Sequence, residues 1–549
     1  MKKYKIWSLV AIFALSLLSF QASRNDFGLM QSTETVIRLM RELSENYVDE
    51  VDAEAMLKNA AHGMTRSLDP YSSFLAEEDM GDFQIMTTGK YGGIGSVIRQ
   101  KGDYVVVSQP YKGSPAAKSG LRIGDKFLKI DGVNAVGMTT AQASEKLKGT
   151  PGTKLKVEVR PIEDTTSVRK ITITRERIKI PAISYSGFVG NRADSIGYIS
   201  HSDFSEDSYA EMTTALRNMQ REGLKGVILD YRDNGGGLMQ EAVNILSLFL
   251  PKGSEVLKIK GRRDSMVYKT THSPMFENMP LVVLIDGNSA SAAEIVAGAL
   301  QDLDRAVLVG QRSFGKGLVQ STVPLGYNTM LKLTTARYYI PSGRCIQAID
   351  YSKGASSADK KVDSLKQEFS TRSGRKVYDG GGIVPDVVTP ADYVSRFAAM
   401  LYGLGIIDEF GDEYFVRHLG SEFSANGFSI SDDEYAEFVK FVEQKDIPYK
   451  SRTRTLLEEL KKTAKEERYD SELLTTLEQQ LKDDKLTNLE TYRKEITKYI
   501  NNDIILRHGY MESVIENSLT TDRDVARAVA ILKSPEEWQR SLESHHEGK

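Results

Sequence analysis

The chain has 549 residues, too many for one ordinary hydrophobic core, so we expect about two to four domains. With a formal net charge of −3, it lacks the excess of positive charge that a broad nucleic-acid-binding surface needs. Its single cysteine, Cys345, excludes an intramolecular disulfide and a cysteine-based metal site, and the seven histidines lack the HExxH spacing of a zinc-binding helix.

The first 23 residues have the order of an export signal. Three lysines within the first five residues precede an apolar run over residues 6–20, and the small residues Ala22 and Ser23 follow. The run is short for a membrane span, so the segment is either cleaved or kept as an N-terminal anchor. We therefore expect a periplasmic or otherwise exported protein that contacts the membrane only through this end.

The segment that follows, residues 24–88, is predicted to be helical. Apolar residues recur at helical spacing from Val36 to Leu43, which indicates a helix over residues 30–65. The turn-forming residues 68–73 (LDPYSS) then end the helical pattern.

From Gly92 the sequence changes to short β runs separated by glycines. Apolar or alternating runs at residues 105–107, 126–130 and 155–159 have the length of strands. A short helix is predicted over residues 140–147. This pattern indicates a small domain built mainly of β-strands.

Strands and helices alternate from about residue 178. Near-continuous apolar strands are predicted at residues 226–230, 281–285 and 306–309, with helices after the first two. Buried strands joined by helices indicate a parallel sheet that is covered on both faces. Past about residue 390 the sequence is helical and highly charged, and we interpret the charge as a solvated face and not a binding surface.

Ser291 lies where a predicted strand gives way to a helix, in the string DGNSASAAE (286–294). A serine at a helix N-terminus faces free backbone N–H groups and the positive end of the helix dipole, which suit an oxyanion. The same string fits a capping box, because Ser291 and Glu294 have the S-x-x-E spacing. Taken alone, the cap is the simpler interpretation.

Lys316 lies between two glycines in the string SFGKGLVQ (313–320). Burial would lower the pKa of its ammonium, and a neutral lysine amine can accept a serine proton, but taken alone a phosphate-loop or surface lysine is the simpler interpretation. The string DYRDNGGG (230–237) puts three glycines after a buried strand, so that backbone N–H groups can turn toward a ligand and complete an oxyanion hole. The alternative is a tight turn, and for Asp230 and Arg232 we favour a structural ion pair.

In their order along the chain, these strings resemble the motifs of the carboxy-terminal processing peptidases, also called tail-specific proteases. Segments 288–294 and 314–320 match that family's Asn/Gly-Ser-Ala-Ser-Ala-x-Glu and Phe-Gly-Lys-Gly-x-x-Gln motifs. Residues 68–72 resemble its Leu-Asp-Pro-His-Ser signature, with Tyr71 in place of the common histidine. The resemblance covers about residues 30–390.

The resemblance implies a role for each candidate site residue. The second serine of the motif is the nucleophile, which is Ser291 here, and Lys316 is its general base. Gln320 helps to orient the lysine. The backbone N–H groups of Ala292 and of a glycine in the turn, with Gly236 as the best match, form the oxyanion hole.

The resemblance also implies a PDZ domain inserted before the peptidase core. Residues 91–95 and 114–116 resemble PDZ sequence, and the loop of Gly93, Ile94 and Gly95 would bind the C-terminal carboxylate of a substrate. The expected partners are therefore the C-termini of proteins or peptides and not nucleic acid. No metal or organic cofactor is required.

The expected architecture is an α/β multidomain protein with a crotonase-like (ClpP-like) protease core, a PDZ domain and helical N- and C-terminal regions. Its expected function is that of an exported serine endopeptidase that forms an acyl-enzyme, and its terminal helices are candidates for a homodimer interface. The predicted boundaries are a signal peptide or anchor at 1–23, a helical region at 24–88, the PDZ domain at 89–177, the peptidase core at 178–390 and a helical region at 391–549.

Two other hypotheses stay open from the sequence. The chain could be a scaffold that binds protein tails through its PDZ domain without cleaving them, although the intact Ser291, Lys316 and Gln320 argue against lost activity. It could also be a Ser–His–Asp hydrolase with His201 or His272 as its base, although no GxSxG motif surrounds the serine.

Overall fold

The computed structural model describes residues 27–164, 166–360, 366–392, 394–468, 472–480 and 485–543. The predicted export signal, residues 1–23, lies outside the described residues. Across those described ranges, no helix has both the length and the apolar character needed to cross a membrane.

The chain divides into two compact units that alternate along the sequence. The first contains the N-terminal part up to Met80, together with Gln320–Thr335 and Asp350–Asp359. The second contains Gly81–Val319, Ala336–Ile349 and Lys360–Lys549. Ser291 and Lys316 therefore belong to the second unit, and Gln320 belongs to the first.

Helices dominate the N-terminal part. Its elements are α1 (residues 27–46), α2 (Ala53–Thr65), β1 (Ser73–Leu75) and α3 (Met80–Thr88). The single helix predicted over residues 30–65 is wrong, because the chain leaves the helix after residue 46 and begins a new one at Ala53. The Asp52 carboxylate caps this second helix by accepting from the N–H groups of Glu54 and Ala55, at 2.9 and 3.1 Å.

A small β domain follows in the second unit. Its elements are β2 (Lys90–Gly93), β3 (Ser96–Lys101), β4 (Tyr104–Pro110), α4 (Pro115–Lys118), β5 (Lys126–Ile130), β6 (Val133–Asn134), α5 (Thr140–Leu147), β7 (Lys154–Arg160), β8 (Arg169–Thr174) and β9 (Glu176–Lys179). The main sheet has the antiparallel order β3-β4-β5-β7-β8, and β2 pairs separately with β9. The three predicted runs fall in β4, β5 and β7, and their apolar side chains, such as Phe127 and Leu155, form its buried core. The strand β3 is at the sheet edge and contacts α5.

A larger α/β region lies mainly in the second unit, apart from residues 320–335 and 350–359, which belong to the first. Its elements are β10 (Ile183–Val189), β11 (Ile196–His201), α6 (Ser208–Arg221), β12 (Gly226–Asp230), α7 (Met239–Leu246), β13 (Glu255–Gly261), β14 (Ser265–Lys269), β15 (Leu281–Ile285), α8 (Ala292–Asp302), β16 (Val307–Gly310), β17 (Leu318–Gly326), β18 (Thr329–Tyr339), β19 (Ile349–Asp350), β20 (Asp359–Lys360), β21 (Glu368–Ser370), β22 (Lys376–Tyr378) and β23 (Val387–Val388). The central sheet has the order β10-β11-β12-β15-β16-β23. All neighbours in it are parallel except the antiparallel pair β10–β11, which confirms the predicted parallel sheet.

The C-terminal part is helical, as predicted. Its elements are α9 (Arg396–Gly403), α10 (Ile406–Arg417), α11 (Asp432–Glu443), α12 (Arg452–Glu466), α13 (Glu472–Gln480), α14 (Lys485–Thr491), α15 (Arg493–His508), α16 (Met511–Ser518), α17 (Arg523–Lys533) and α18 (Pro535–Leu542). The helices α9, α10, α11, α14 and α15 share a hydrophobic core of their own. In contrast, α17 and α18 contact the central sheet.

Alternate side chains of the central sheet enter two hydrophobic layers. On one face, Leu229 and Val283 pack with residues of α6, α7 and α8. On the other face, Ile228 and Leu284 pack with Val525 and its neighbours in α17. Because both faces are covered, the central strands consist of almost continuous apolar residues.

A group of partly buried charges around Arg507 joins the small β domain to the C-terminal helices. The Arg507 side chain is 1% exposed and pairs with Asp408 and Asp503 at 2.8 and 2.6 Å. Lys101 of β3 reaches Asp408 and Asp412 at 2.7 and 2.6 Å. Burial alone would raise the pKa of Asp408, but Arg507 and Lys101 lower it below its ordinary value. These charges depend on one another because none of them is fully solvated, so they hold β3 against α10 and α15.

In the first unit, β1 pairs with the beginning of β18. Leu75 lies opposite Met330 in this antiparallel pair. The strands β17 and β18 form a hairpin whose turn residues, Tyr327 and Asn328, have φ values of 46° and 53°. The segment 68–73 therefore lies beside the strand β18.

Candidate active site

Ser291 lies at the turn between β15 and α8, as predicted. It has a φ of 55° and a ψ of −114°, a conformation that residues other than glycine rarely adopt, and Ala292 begins the helix directly after it. Strained backbone of this kind occurs at functional sites, where it aims a side chain in a direction that a relaxed turn does not allow. Ser291 is half-buried, which leaves it accessible from solvent.

The glycine turn after β12 lies directly against the serine. A Cβ atom placed on Gly236 would come within 2.7 Å of the Ser291 Cβ and 2.9 Å of the Ala292 backbone nitrogen. With a φ of 101° as well, this position requires glycine. The Gly236 N–H donates to the Asn234 Oδ1 at 2.8 Å. The oxyanion roles of Ala292 and Gly236 stay predictions.

A single buried carboxylate binds both the serine turn and the lysine loop. The Glu294 Oε2 accepts from the backbone N–H groups of Ser291 and Lys316, each at 2.9 Å. Its Oε1 accepts from the Ser313 hydroxyl at 2.6 Å and from the Gly315 N–H at 2.7 Å. Burial raises the pKa of Glu294 to about 7, although these hydrogen bonds act in the opposite direction. Glu294 therefore does more than complete the capping box foreseen from its spacing to Ser291.

A tyrosine hydroxyl links the same two residues at their carbonyl groups. The Tyr338 Oη donates to the Lys316 carbonyl oxygen at 2.6 Å and also lies 3.3 Å from that of Ser291. The Tyr338 side chain is almost completely buried at the end of β18. The backbones of Ser291 and Lys316 are thus held side by side, by Glu294 at their nitrogens and by Tyr338 at their oxygens.

The two glycines around Lys316 permit close backbone approach, as predicted. A Cβ on Gly315 would lie 2.6 Å from the Ala348 Cβ, and one on Gly317 would lie 2.9 Å from the Gln347 nitrogen. Lys316 itself is half-buried. The loop between β16 and β17 is therefore packed tightly on both sides of the lysine.

Gln320 lies in β17 within the first unit. Its Nε2 donates to the Thr334 Oγ1 at 3.2 Å. The catalytic roles of Ser291, Lys316 and Gln320 stay predictions.

Neither candidate histidine has the surroundings of a catalytic base. His201 is 1% exposed, and burial lowers its pKa to about 3. The His201 ring packs against Phe204 and Tyr231, and no carboxylate side chain among the described residues is hydrogen-bonded to its nitrogens. His272 is exposed, and its Nδ1 lies 2.9 Å from the neighbouring Thr271 hydroxyl.

The predicted carboxylate-binding loop begins at Gly93, the last residue of β2, and leads into β3. The carbonyl groups of Ile94 and Gly95 accept from the N–H groups of Ala116 and Tyr111, at 2.8 and 2.9 Å. The N–H groups of Ile94 and Gly95 themselves donate to no backbone oxygen of the described chain. This loop is therefore held through the carbonyl oxygens of Ile94 and Gly95, and their N–H groups are available to bind a ligand. The binding roles of Gly93, Ile94 and Gly95 stay predictions.

The ion pair predicted between Asp230 and Arg232 is confirmed. The Arg232 Nη2 lies 2.6 Å from Asp230, and the same guanidinium reaches Asp522 and Asp524 at 2.8 and 3.3 Å. Arg232 therefore ties the end of β12 to the beginning of α17, which is a structural role.

Sequence reasoning missed two residues that organise the site. Tyr338 carries no signal in the sequence, because it belongs to an ordinary β run. Glu294 was recognised as a helix-capping residue, but its contacts with the lysine loop join positions that are distant along the chain. Only its place in the same motif as the candidate nucleophile, Ser291, could have pointed to a further role.

Replacing Glu294 by glutamine is expected to flatten the pH dependence of stability. The pKa of about 7, above the ordinary 4.5, means that the folded state keeps a proton that the unfolded state releases between these pH values. The contribution of Glu294 to stability is therefore complete below pH 4.5 and is lost as the pH rises through about 7, by at most about 1.4 kcal/mol per pH unit. Thermal unfolding at pH values across this interval measures the effect. The exposed Glu145→Gln is the control, and an unchanged pH profile in Glu294→Gln would contradict the assignment.

Three family models match separate parts of the chain. "Peptidase family S41" matches residues 195–353, "PDZ domain" matches residues 106–161, and "Probable PDZ-protease, C-terminal helical domain" matches residues 397–532. The matches follow the order of the α/β region, the small β domain and the C-terminal helices described above.

Relatives of known description agree with these models. The chain is 38% identical to a "Carboxy-terminal-processing protease" of Bartonella bacilliformis over 55% of this chain and 70% of the relative. It is 30% identical to a "Probable CtpA-like serine protease" of Staphylococcus aureus over 63% of this chain and 67% of the relative. A solved structure described as "Photosystem II D1 C-terminal processing protease" is similar with 24% identity and a TM-score of 0.35, over 64% of this chain and 86% of that one. The chain therefore belongs to the carboxy-terminal-processing proteases of peptidase family S41, and it is a serine-type peptidase with a PDZ domain.

Proposed function

We propose that the chain is an exported endopeptidase that cuts proteins selected by their C-terminal tails, with Ser291 as nucleophile and Lys316 as general base. The observation that carries this proposal is the shared carboxylate oxygen of Glu294. It binds the backbone N–H groups of both residues at 2.9 Å, so that the two lie side by side although separate loops carry them. A nucleophile and its base need such a fixed relation to act together.

In this mechanism, the Ser291 hydroxyl attacks the carbonyl carbon of a peptide bond while its proton passes to the neutral Lys316 amine. The lysine then gives this proton to the leaving amine as the peptide bond breaks, which leaves an acyl-enzyme on Ser291. A water molecule attacks the ester, again with Lys316 as the base, and the serine is released. Gln320, four residues after the lysine, orients its amine. The reaction uses no metal or organic cofactor.

The oxyanion of each tetrahedral intermediate is bound by the backbone N–H groups of Ala292 and Gly236. Ala292 begins α8, where the first N–H groups lack partners within the helix and the helix dipole is positive. The Gly236 N–H donates to the Asn234 Oδ1, so its use requires the Asn234 side chain to release it. The close approach of Gly236 to Ser291 and Ala292 supports this assignment.

Substrates are recognised by the PDZ domain through their C-terminal carboxylate. The N–H groups of Gly93, Ile94 and Gly95 bind the carboxylate, and the tail pairs with the edge strand β3 beside α5. The open edge of β3 and the unused N–H groups of Ile94 and Gly95 support this mode of binding.

For the architecture, we propose a crotonase-like core and the boundaries 1–23, 24–88, 89–177, 178–390 and 391–549. The parallel central sheet with helices on both of its faces supports such a core. The positions of the S41 and PDZ matches inside two of these ranges support the division.

Export is proposed from the N-terminal sequence. A basic start, an apolar run and the small residues Ala22 and Ser23 form the pattern of a secretory signal. The segment is either removed or kept as an anchor in the inner membrane, which places the peptidase in the periplasm or an equivalent exported compartment.

A homodimer is proposed from helix α1. Leu29, Met30 and Ile37 share one exposed apolar face of this helix, and the opposite charges of Glu34 and Arg41 lie along it. An exposed apolar face marks an interaction surface, and one that carries both charges can pair with a second copy of itself about a two-fold axis. The proposed occupant is therefore α1 of a second chain.

Replacing Ser291 or Lys316 by alanine is expected to lower the rate of peptide cleavage by about 10³-fold or more while the fold is kept, because each removes one half of the nucleophile–base pair. Cleavage of an unfolded protein substrate and thermal unfolding provide the two measurements. The exposed Lys252→Ala is the matched control for the lysine. A fully active Lys316→Ala enzyme would exclude this mechanism, and a lack of Ser291 labelling by a serine-directed probe would favour a scaffold without activity.

Recognition of C-terminal tails is tested with two peptides that differ only at the end, one with a free carboxylate and one amidated. We expect the full chain carrying Ser291→Ala to bind the free carboxylate about tenfold more tightly or better, because hydrogen bonds to a charged group are lost in the amide. Titration calorimetry measures both affinities. Equal affinities would rule out recognition by the terminal carboxylate.

Export and dimerisation are tested on the same material. We expect the full chain, expressed in a Gram-negative host, to appear in the periplasmic or membrane fraction. In analytical ultracentrifugation, we expect the purified protein to sediment with twice the mass of one chain. Ile37→Asp should yield monomers because it buries a charge in the proposed interface, whereas Thr35→Asp on the opposite face of α1 should not. A cytoplasmic location contradicts export, and a monomeric wild-type chain contradicts the dimer.

A further inference from the structure

The signature segment 68–72 folds around the carboxylate of Asp69. The Asp69 Oδ1 accepts from the backbone N–H groups of Tyr71 and Ser72, both at 2.8 Å. Its Oδ2 accepts from the Ser72 hydroxyl at 3.0 Å. Asp69 is 6% exposed, so these hydrogen bonds replace the water that its burial removes.

The same carboxylate reaches a threonine in β18. The Thr334 Oγ1 lies 3.2 Å from the Asp69 Oδ1, and the Thr334 N–H donates to the Ser72 hydroxyl oxygen at 3.1 Å. The Thr334 Oγ1 also lies 3.2 Å from the Gln320 Nε2. All of these residues belong to the first unit. A continuous chain of hydrogen bonds therefore runs from Asp69 through Thr334 to Gln320.

The donors and acceptors in this series of hydrogen bonds can be arranged in only one way when Asp69 is ionised. An ionised carboxylate only accepts hydrogen bonds, so the single hydroxyl proton of Thr334 must point to Asp69. The hydroxyl oxygen can then only accept, and of the two ends of the Gln320 amide only the NH₂ end can donate to it. The amide oxygen of Gln320 is consequently the end that remains for another donor.

We propose that Asp69 and Thr334 are positioning residues of the catalytic site, which act by fixing the orientation of the Gln320 side-chain amide. Because the role of Gln320 belongs to the proposed function, the effect on catalysis depends on that proposal. A lysine base needs its lone pair for the serine proton, so its N–H groups need an acceptor that directs the lone pair. The amide oxygen of Gln320 is such an acceptor, whereas a reversed amide would offer only further N–H donors.

Asp69 and Thr334 could instead serve only to attach the segment 68–72 to β18. In that case their loss would lower stability and reduce the amount of folded enzyme, but it would leave the turnover of each folded molecule unchanged. The alternative is that Asp69 and Thr334 act through Gln320, and we call this series of hydrogen bonds the relay. The relay makes a different prediction, because a misdirected lysine slows the chemical step in a molecule that is folded and binds its substrate.

Thr334→Val is the sharpest variant, because it removes the hydroxyl and keeps the shape of the side chain. We expect kcat to fall by about 10- to 100-fold with KM within about twofold of wild type, since misplacement of a catalytic group affects mainly the chemical step. Thr334→Ser keeps the hydroxyl and should restore most of kcat. Thr335→Val removes an exposed hydroxyl from the same strand and should resemble wild type. Thermal unfolding reports the fold of each variant, and Thr334→Ala replaces the valine variant if it does not fold.

A double-mutant cycle with Gln320→Ala separates the relay from an independent role. If Thr334 acts only through Gln320, adding Thr334→Val to Gln320→Ala should cost no further activity. Two results would overturn the relay. One is a loss of activity on adding Thr334→Val to Gln320→Ala that is as large as the loss it causes in the wild-type enzyme. The other is a folded Thr334→Val enzyme with unchanged kcat. If Ser291→Ala is inactive in either of these cases, the proposed function stands without the relay. A fully active Gln320→Ala enzyme would remove the role of Gln320 and the relay together, whereas an active Ser291→Ala enzyme would refute the proposed function itself.

Discussion

The geometry of the candidate active site depends on one buried carboxylate. Glu294 is completely enclosed, and each of its four hydrogen bonds comes from a different residue of the serine turn or the lysine loop. A buried carboxylate without such donors would be costly, and the donors without it would each lose about 1–3 kcal/mol. Because the carboxylate and its donors each depend on the other for hydrogen bonds, the two loops can satisfy their polar groups only in this mutual arrangement. The tight contacts of Gly236 and Gly315 are compatible with that arrangement because these residues lack side chains.

This dependence explains why the site is built from backbone contacts more than from side-chain contacts. Glu294 and Tyr338 bind main-chain atoms of Ser291 and Lys316. The proposed mechanism requires the two side chains to exchange a proton while their Cα atoms keep a fixed separation. Fixing the backbone satisfies both requirements, and the cost is the strained conformation at Ser291.

The features that were predicted from the sequence are those that short stretches of chain determine. The parallel strands could be recognised because burial on both faces makes their sequence almost entirely apolar, and the place of Ser291 followed from a strand and a helix that meet there. The break between α1 and α2 was missed, because the helical spacing from Val36 to Leu43 was extended to residue 65 and the capping preference of Asp52 was not considered. The roles of Glu294 and Tyr338 could not be predicted, since they depend on contacts between residues far apart in the sequence, which no local pattern records. The helical tail was predicted, but a charged amphipathic sequence does not reveal which surface its apolar side will cover.

That covering surface determines when the central sheet can be completed during synthesis. The strands β15 and β16 lead directly into the serine turn and the lysine loop, and one face of both strands is buried by α17. A ribosome produces α17 more than 200 residues after Lys316, since residues 523–533 come so late in the sequence. Until then this face of the sheet exposes its apolar side chains, and the strands that lead into the Ser291 turn and the Lys316 loop lack the packing that α17 supplies. The order of the sequence therefore delays completion of the sheet that carries Ser291 and Lys316 until the C-terminal helices have been made.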